Sequence, residues 1–307
     1  MSKSDEAASS FLCPYCGGRK ARFFCNVSSK INRRNVNYYV CKKCNAVIQF
    51  PYPDKKIVSE YYETYFEIKQ KLNAGYLTEN QYDSLKNERD KTFAELGFDK
   101  KRIKNRLNVE LGCANGFFLR YLEESGAVHI LGIDTSRSLL ETAQQQLKAQ
   151  IISEDLLHDM NNIFCSSEHI RLVCASSLNG IAQNSVDNLY MFHLMEHSEE
   201  PNVLMRQAAY ILKKDGIFVL EVPVSGAVSS FFHDKWRFLM PDEHLNIPSV
   251  RSVKILAKQY CFSIRSIIRF GSGITAGTAP RMIKKIADTS AKAFRFGDRA
   301  AFLLIKT

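Results

Sequence analysis

The chain has 307 residues, 45% of them hydrophobic, and a formal net charge of +10. That is enough apolar material for one large domain, or two unequal ones, with a buried core. No apolar run approaches the roughly 18 residues of a bilayer span and Met1–Ser10 has no apolar signal segment, so the expectation is a soluble, cytoplasmic protein without a membrane span.

Residues 1–10 read as a disordered tail and residues 11–53 as a zinc ribbon. Cys13-Pro14-Tyr15-Cys16 and Cys41-Lys42-Lys43-Cys44 each leave a two-residue gap, which lets both sulfurs of a pair reach one ion. Ala21–Val27, Asn35–Val40 and Ala46–Phe50 are rich in aromatic and β-branched residues and read as strands. A four-thiolate site is closed, so Cys13, Cys16, Cys41 and Cys44 are expected to hold a structural Zn2+ with no open position for chemistry. The nine cysteines are an odd total, which favours reduced thiols and a metal site over a disulfide frame. Residues 1–50 carry nine Lys and Arg against two acids, a net +7. That charge suits nucleic acid, a phosphorylated substrate or an anionic surface, and equally a plain solvated face.

Pro51-Tyr52-Pro53 ends the ribbon, because proline has no donor for a ladder. Residues 54–104 are expected to form a helical linker or lid. Tyr61, Tyr62, Tyr65 and Phe66 recur there at helix-neighbour spacing, suited to packing between modules or to gating a pocket. Residues 105–307 then alternate strand and helix. Strands are read at Leu107–Leu111, Leu131–Asp134, Ile170–Ala175, Asn188–Phe192, Gly216–Val222, Phe262–Phe270 and Ala300–Lys306. Helices are read at Phe117–Ser125, Arg137–Gln150, Glu200–Lys213, Pro248–Tyr260 and, strongly basic, Pro280–Phe296. Residues 151–168 read only as an extra polar helix or loop, and 226–247 as a long irregular segment. The pattern predicts an α/β fold with a mainly parallel sheet and leaves the direction of the last two strands open.

The stretch from Leu107 to Ser136 sets the ligand question. An apolar strand ends in Glu110, the turn Gly112-Cys113-Ala114-Asn115-Gly116 follows, a helix starts at once, and a second strand ends in Asp134. A dinucleotide loop has a third glycine for close helix–strand packing, where this chain has Phe117. Glu110 would repel a phosphate and suits an ammonium or sulfonium. Asp134 can accept two hydrogen bonds from a ribose diol. A ligand with a ribose and a positive amino-acid tail is S-adenosyl-L-methionine.

Val109–Gly116 resembles the first motif of class I S-adenosylmethionine-dependent methyltransferases, and Gly132–Ser136 resembles their second-strand acid. Ser185–His197 resembles the fourth-strand motif of the subgroup that includes ubiquinone-type O-methyltransferases, and Leu212–Pro223 the next helix-to-strand turn. The likeness covers roughly residues 105–307. It implies a Rossmann-like, seven-stranded sheet with the cofactor over the strand tips. The implied cofactor-binding set is Glu110, Gly112, Cys113, Ala114, Gly116, Asp134, Thr135, Ser176 and His193. Ser176 and Ser177 stand where many relatives carry an acid for adenine. The ribbon, the Pro-x-Pro exit and the tyrosines after it resemble zinc-ribbon methyltransferases of polysaccharide and deoxysugar biosynthesis. In that group a His in a context like Asp242-Glu243-His244-Leu245 lies near the substrate.

Methyl transfer from a sulfonium needs alignment and removal of the acceptor's proton. His244 is the candidate base, with His193 a second candidate that equally suits positioning or packing. His233, Trp236 and Arg237 are candidates for lining an acceptor pocket, Arg237 by pairing with phosphate or carboxylate. His193-x-x-Glu196-His197 also matches a zinc-protease spacing, but the strand-like run before His193 argues against the helix which that chemistry requires. The expected acceptor is a small molecule or nucleotide sugar; RNA held by the basic ribbon is the alternative, and a binding protein without catalysis the third reading.

Overall fold

The aromatic and β-branched runs around the cysteine pairs become β1 (Ala21–Ser28), β2 (Asn35–Cys41) and β3 (Val47–Gln49), an antiparallel meander. The computed structural model describes residues 10–29, 34–54, 78–159, 169–271 and 281–307. The expected tail up to residue 9, the aromatic cluster Tyr61–Phe66 and residues 160–168 therefore lie outside the described residues.

Helix α1 (Glu79–Leu96) starts from a capping box between Thr78 and Gln81 and stops on Gly97 at φ 69°. It is a core helix of the catalytic sheet. Its Phe93 and Leu96, with Phe98 and Ile103, are buried against Phe118, Leu119, Tyr121 and Leu122. The expected boundary at residue 104 thus cuts through a core. Only Tyr82, Thr92, Phe93 and Leu96 of α1 are buried, a stripe too narrow to announce itself in a polar sequence.

After β4 (Leu107–Leu111) come α2 (Phe117–Glu124), β5 (His129–Asp134), α3 (Arg137–Leu147), β6 (Gln150–Ile152), β7 (Ile170–Cys174), β8 (Val186–Phe192) and α4 (Pro201–Ile211). Then follow β9 (Leu212–Pro223), α5 (Ala227–Phe232), β10 (Asn246–Ile247), α6 (Val250–Gln259), β11 (Phe262–Phe270), α7 (Arg281–Ala293) and β12 (Arg299–Lys306). The large sheet has the order β11-β12-β9-β8-β4-β5-β7-β6. β12 alone runs opposite to the other seven strands. The sheet has eight strands where seven were expected. The extra one, β6, is three residues long at the edge beside β7, too short to show a period. Helices α4 and α6 cover one face, and α1, α2 and α3 the other. No helix among the described residues is long and apolar enough to cross a membrane.

The ribbon is built into this sheet's loop end. Its fourth strand is β10, which pairs antiparallel with β3 from two hundred residues away. Tyr15 Oη donates to Asn246 O (2.9 Å), Tyr52 Oη to Asn246 Oδ1 (2.7 Å), Ser225 Oγ to Asn45 O (2.6 Å) and Ser249 Oγ to Cys44 O. Tyr15, Tyr39 and Ile48 share one apolar cluster with Met195, Leu220 and Val222.

Candidate functional site

Strand β4 delivers Glu110 and the turn Gly112–Gly116 to the carboxyl end of the sheet, where open α/β sheets hold their ligands. Gly112 and Gly116 sit at φ 84° and 81°, values that favour glycine. A Cβ on Gly116 would lie 2.7 Å from Leu147 Cδ1, so this glycine also lets α3 close on the loop. The third glycine that the turn lacks has a counterpart across the sheet. A Cβ on Gly132 of β5 would stand 2.5 Å from Leu119 Cδ1 and 2.9 Å from Cys113 Sγ. The bare backbone of β5 thus gives α2 the approach that Phe117 does not. Cys113 is buried there as a packing group, and its amide, like that of Gly112, donates to Ile133 O (3.1 and 2.7 Å). Gly112 and Cys113 therefore shape the cradle, with their amides committed to the fold.

Asp134 Oδ2 accepts from Ala114 N and Oδ1 from Ser136 N, each at 2.9 Å, so the carboxylate is fixed beside the loop with a second lone pair left on each oxygen. Burial raises its carboxyl above the ordinary range, and those backbone donors oppose the rise. Glu110 is 4% exposed, and its Oε2 has no hydrogen bond among the described residues. Burial raises its carboxyl well above the usual range, with Arg89 opposing. A buried carboxyl with an unused acceptor fits a cationic ligand group. Together with the backbone-held carboxylate of Asp134, the residues present fit S-adenosylmethionine and do not fit a pyrophosphate. Thr135 and Ser176 are exposed on the adjoining tips of β5 and β7.

A second polar cluster lies at the tips of β8 and β9. Arg89 of α1 donates to Glu221 Oε2 (2.8 Å), its guanidinium 3.7 Å from the Phe192 ring centre. His193 turns at φ 52°, with Nε2 on Glu221 Oε1 (3.2 Å) and Nδ1 on Glu196 Oε1 (3.3 Å). Both ring nitrogens face carboxylates, so the ring is held as a cation. Burial opposes this charge, but the two carboxylates outweigh it and raise His193 to about 9. Burial would likewise raise Glu221, but Arg89 and His193 bring it down to about 2. His244 is 5% exposed, donates from Nδ1 to Phe238 O (2.8 Å), and meets the His197 ring edge-on at 4.9 Å. Burial, reinforced by His197, lowers it to about 4.

The pocket-lining role expected for Trp236 and Arg237 is taken up by the fold. Trp236 is buried and donates to Asp298 Oδ2 (3.2 Å), and Arg237 donates to both oxygens of the same fully buried carboxylate (3.2 and 2.9 Å). His233 packs on Phe24 of the ribbon. Arg89 and Glu221 are not among the site residues expected from the sequence, and Glu196 and His197 enter it only through the zinc-protease spacing. Glu221 carries a readable sign, an acid inside an apolar run; Arg89, on a polar helix, carries none.

The four cysteines converge as their spacing predicts. Cys13 and Cys44 Sγ are 3.5 Å apart, Cys16 and Cys41 Sγ 3.6 Å, and all four sulfurs lie within 4.8 Å of one another. Zinc–sulfur bonds of about 2.3 Å put tetrahedral sulfurs about 3.8 Å apart, so the set fits a zinc ion.

An acid-lined cradle over the tips of a mainly parallel sheet defines the fold of the class I S-adenosylmethionine-dependent methyltransferases. Residues 83–267, more than half of the chain, match a family described as a methyltransferase domain, and the chain belongs to that family of methyltransferases. No curated protein sequence matches the chain. Among solved structures, it is similar to magnesium protoporphyrin IX methyltransferase from Synechocystis PCC 6803 with bound SAH (16% identity, TM-score 0.52, covering 83% of this chain and 100% of that one). It is also similar to geranyl diphosphate methyltransferase in complex with SAM (10% identity, TM-score 0.51, covering 72% of this chain and 85% of that one). At these identities the likeness is one of fold.

Proposed function

We propose that this methyltransferase acts on a small-molecule acceptor of the nucleotide-sugar or glycan-precursor class, and that its ribbon holds a structural zinc and walls the acceptor side. The observation that carries the reading is the join at Asn246. Ribbon, β10 and strand tips form one packed unit over the loop end of the sheet, a setting for a compact acceptor. Asp134 takes the ribose hydroxyls and Glu110 the cationic amino-acid end, while Ala114, Gly116, Thr135 and Ser176 border them. S-adenosylmethionine supplies a methyl group on a sulfonium, whose neutral leaving group makes in-line displacement a matter of alignment.

A general base works best with a pKa near ambient pH. His193, held as a cation near 9, and His244, held neutral near 4, are both far from that optimum. The base role that the sequence suggests for them is therefore not part of this proposal. His193 instead keeps Glu221 and Glu196 ionised at the strand tips.

One observation favours RNA as a second reading: Arg19, Lys20, Arg22, Lys42 and Lys43 are all exposed on the ribbon. A screen with methyl-labelled cofactor against nucleotide sugars and RNA decides. Label on a nucleotide sugar or small glycan supports the proposal. Label on RNA alone, with a salt-dependent gel shift, replaces it.

A further inference from the structure

The spacing His193-x-x-Glu196-His197 brings two groups, Glu196 and His197, to the strand tips beside His193. The fold sends its two histidines different ways. His193 turns to the carboxylates of Glu221 and Glu196, whereas His197 meets His244 from the segment after β9. Between them lies Glu196, 0% exposed, its Oε1 on His193 and its Oε2 without a hydrogen bond among the described residues. A buried carboxylate oxygen with no donor is unfavourable unless a cation meets it.

The two rings present that cation with basic nitrogens. His197 Nδ1–H donates to Glu243 O (3.0 Å) and His244 Nδ1–H to Phe238 O (2.8 Å), so Nε2 is the basic nitrogen of each. Backbone carbonyls that fix the far nitrogen are the usual outer support of metal-bound histidines. The rings cross at 78° with centres 4.9 Å apart, and one ligand atom from each of Glu196, His197 and His244 lies within 4.8 Å of the others.

We infer that Glu196, His197 and His244 bind a divalent transition-metal ion of the zinc type, with His193 orienting the Glu196 carboxylate. Ligands about 2.1 Å from zinc stand about 3.4 Å apart, so side-chain rotations of about an ångström close the set. Two imidazoles and one carboxylate leave a fourth position, open to water or to an acceptor oxygen. Only the use of that position by an acceptor rests on the function proposed above; the binding of the ion does not. The ion would also fasten the turn after β8 to the segment that carries His244 and β10. The site is separate from the four cysteines and differs from them in donor chemistry.

The test is a metal count on the intact chain purified without chelators. Two equivalents of zinc per chain are expected, falling to one in Glu196→Gln and in His197→Gln, and to one in Cys41→Ser. Cobalt-substituted wild type supplies a readout that does not depend on the variants folding. It should show thiolate charge-transfer bands from the cysteine site together with weaker nitrogen–oxygen ligand-field bands. A single equivalent in the wild type, a purely four-thiolate cobalt spectrum and no further uptake of Zn2+, Co2+ or Mn2+ by calorimetry would overturn the inference. Failure of the same protein to bind S-adenosylmethionine would instead remove the proposed function and leave the metal count standing.

Discussion

Replacing Glu110 by Gln keeps the side chain's shape and removes its charge. Glu110 is 4% exposed and its Oε2 has no hydrogen-bond partner among the described residues; in the proposed function a cationic ligand group supplies that contact. A hydrogen bond to a charged group contributes about 1.5–3 kcal/mol, and about 1.4 kcal/mol is a factor of ten, so Glu110→Gln should weaken S-adenosylmethionine binding about 10- to 100-fold. The pH behaviour follows from the same site. Burial raises the free carboxyl's pKa, opposed by Arg89 and aided by the nearby Asp134. A bound cation lowers it again. Binding therefore releases a proton in the pH window between the lowered pKa of the bound state and the raised pKa of the free one, and the release vanishes on either side. Titration calorimetry in buffers of differing ionisation enthalpy measures both quantities. Equal affinity in the variant, with a wild-type enthalpy independent of buffer, would refute the assignment. Proton release that persists in the variant would move it to Asp134.

Asp134→Ala removes the proposed ribose acceptor and the anchor of Ala114 N and Ser136 N, and should weaken cofactor binding about 10-fold or more by calorimetry; an unchanged affinity excludes the ribose contact. Cys41→Ser, or zinc removal by a chelator, should raise hydrogen exchange in residues 225–249 as well as in the ribbon, because β10 and Ser225 and Ser249 bond to it. Exchange confined to residues 11–53 would show the ribbon to be independent. Asp298→Ala strips the partner from Trp236 Nε1 and Arg237 and should lower stability by about 3 kcal/mol in urea unfolding. A loss below about 1 kcal/mol would mean that the segment carrying Trp236 and Arg237 does not depend on this latch.

Much of the cradle was legible because its chemistry is local in sequence. Glu110, the loop glycines and Asp134 lie within one strand–turn–helix–strand unit, and the four cysteines announce themselves by spacing. Of the tip cluster only His193 and His244 were legible, because its members come from α1, the turn after β8, β9 and the segment before β10. Arg89 sits on a polar helix surface pattern and reaches Glu221 only through the packing of Phe93 and Phe118. His244 was singled out by resemblance, and its burial and tautomer depend on Phe238, six residues away in an irregular segment. Strand β6 escaped for a simpler reason, since three residues at a sheet edge carry no period.

Asn246 shows why the ribbon and the catalytic sheet cannot be treated as separate modules. It is fully buried, and every part of it is engaged. Its backbone carbonyl accepts from Tyr15 in the first cysteine knuckle and its Oδ1 from Tyr52 in the proline exit, while its Nδ2 donates to Ser198 O in the turn after β8 (2.6 Å). Its neighbour Leu245 holds the same joint: Leu245 N donates to Glu196 O and its carbonyl accepts from Gln49 N (both 2.9 Å). A shift of the ribbon by even an ångström would leave several buried polar groups unpaired, at about 1–3 kcal/mol each. The position of Glu196, and with it the tips of β8 and β9, is therefore tied to the fold of the ribbon. In the proposed function the shape presented to an acceptor is therefore set jointly by residues 11–53 and by the sheet, although nothing in the sequence of either one alone reveals the other's part.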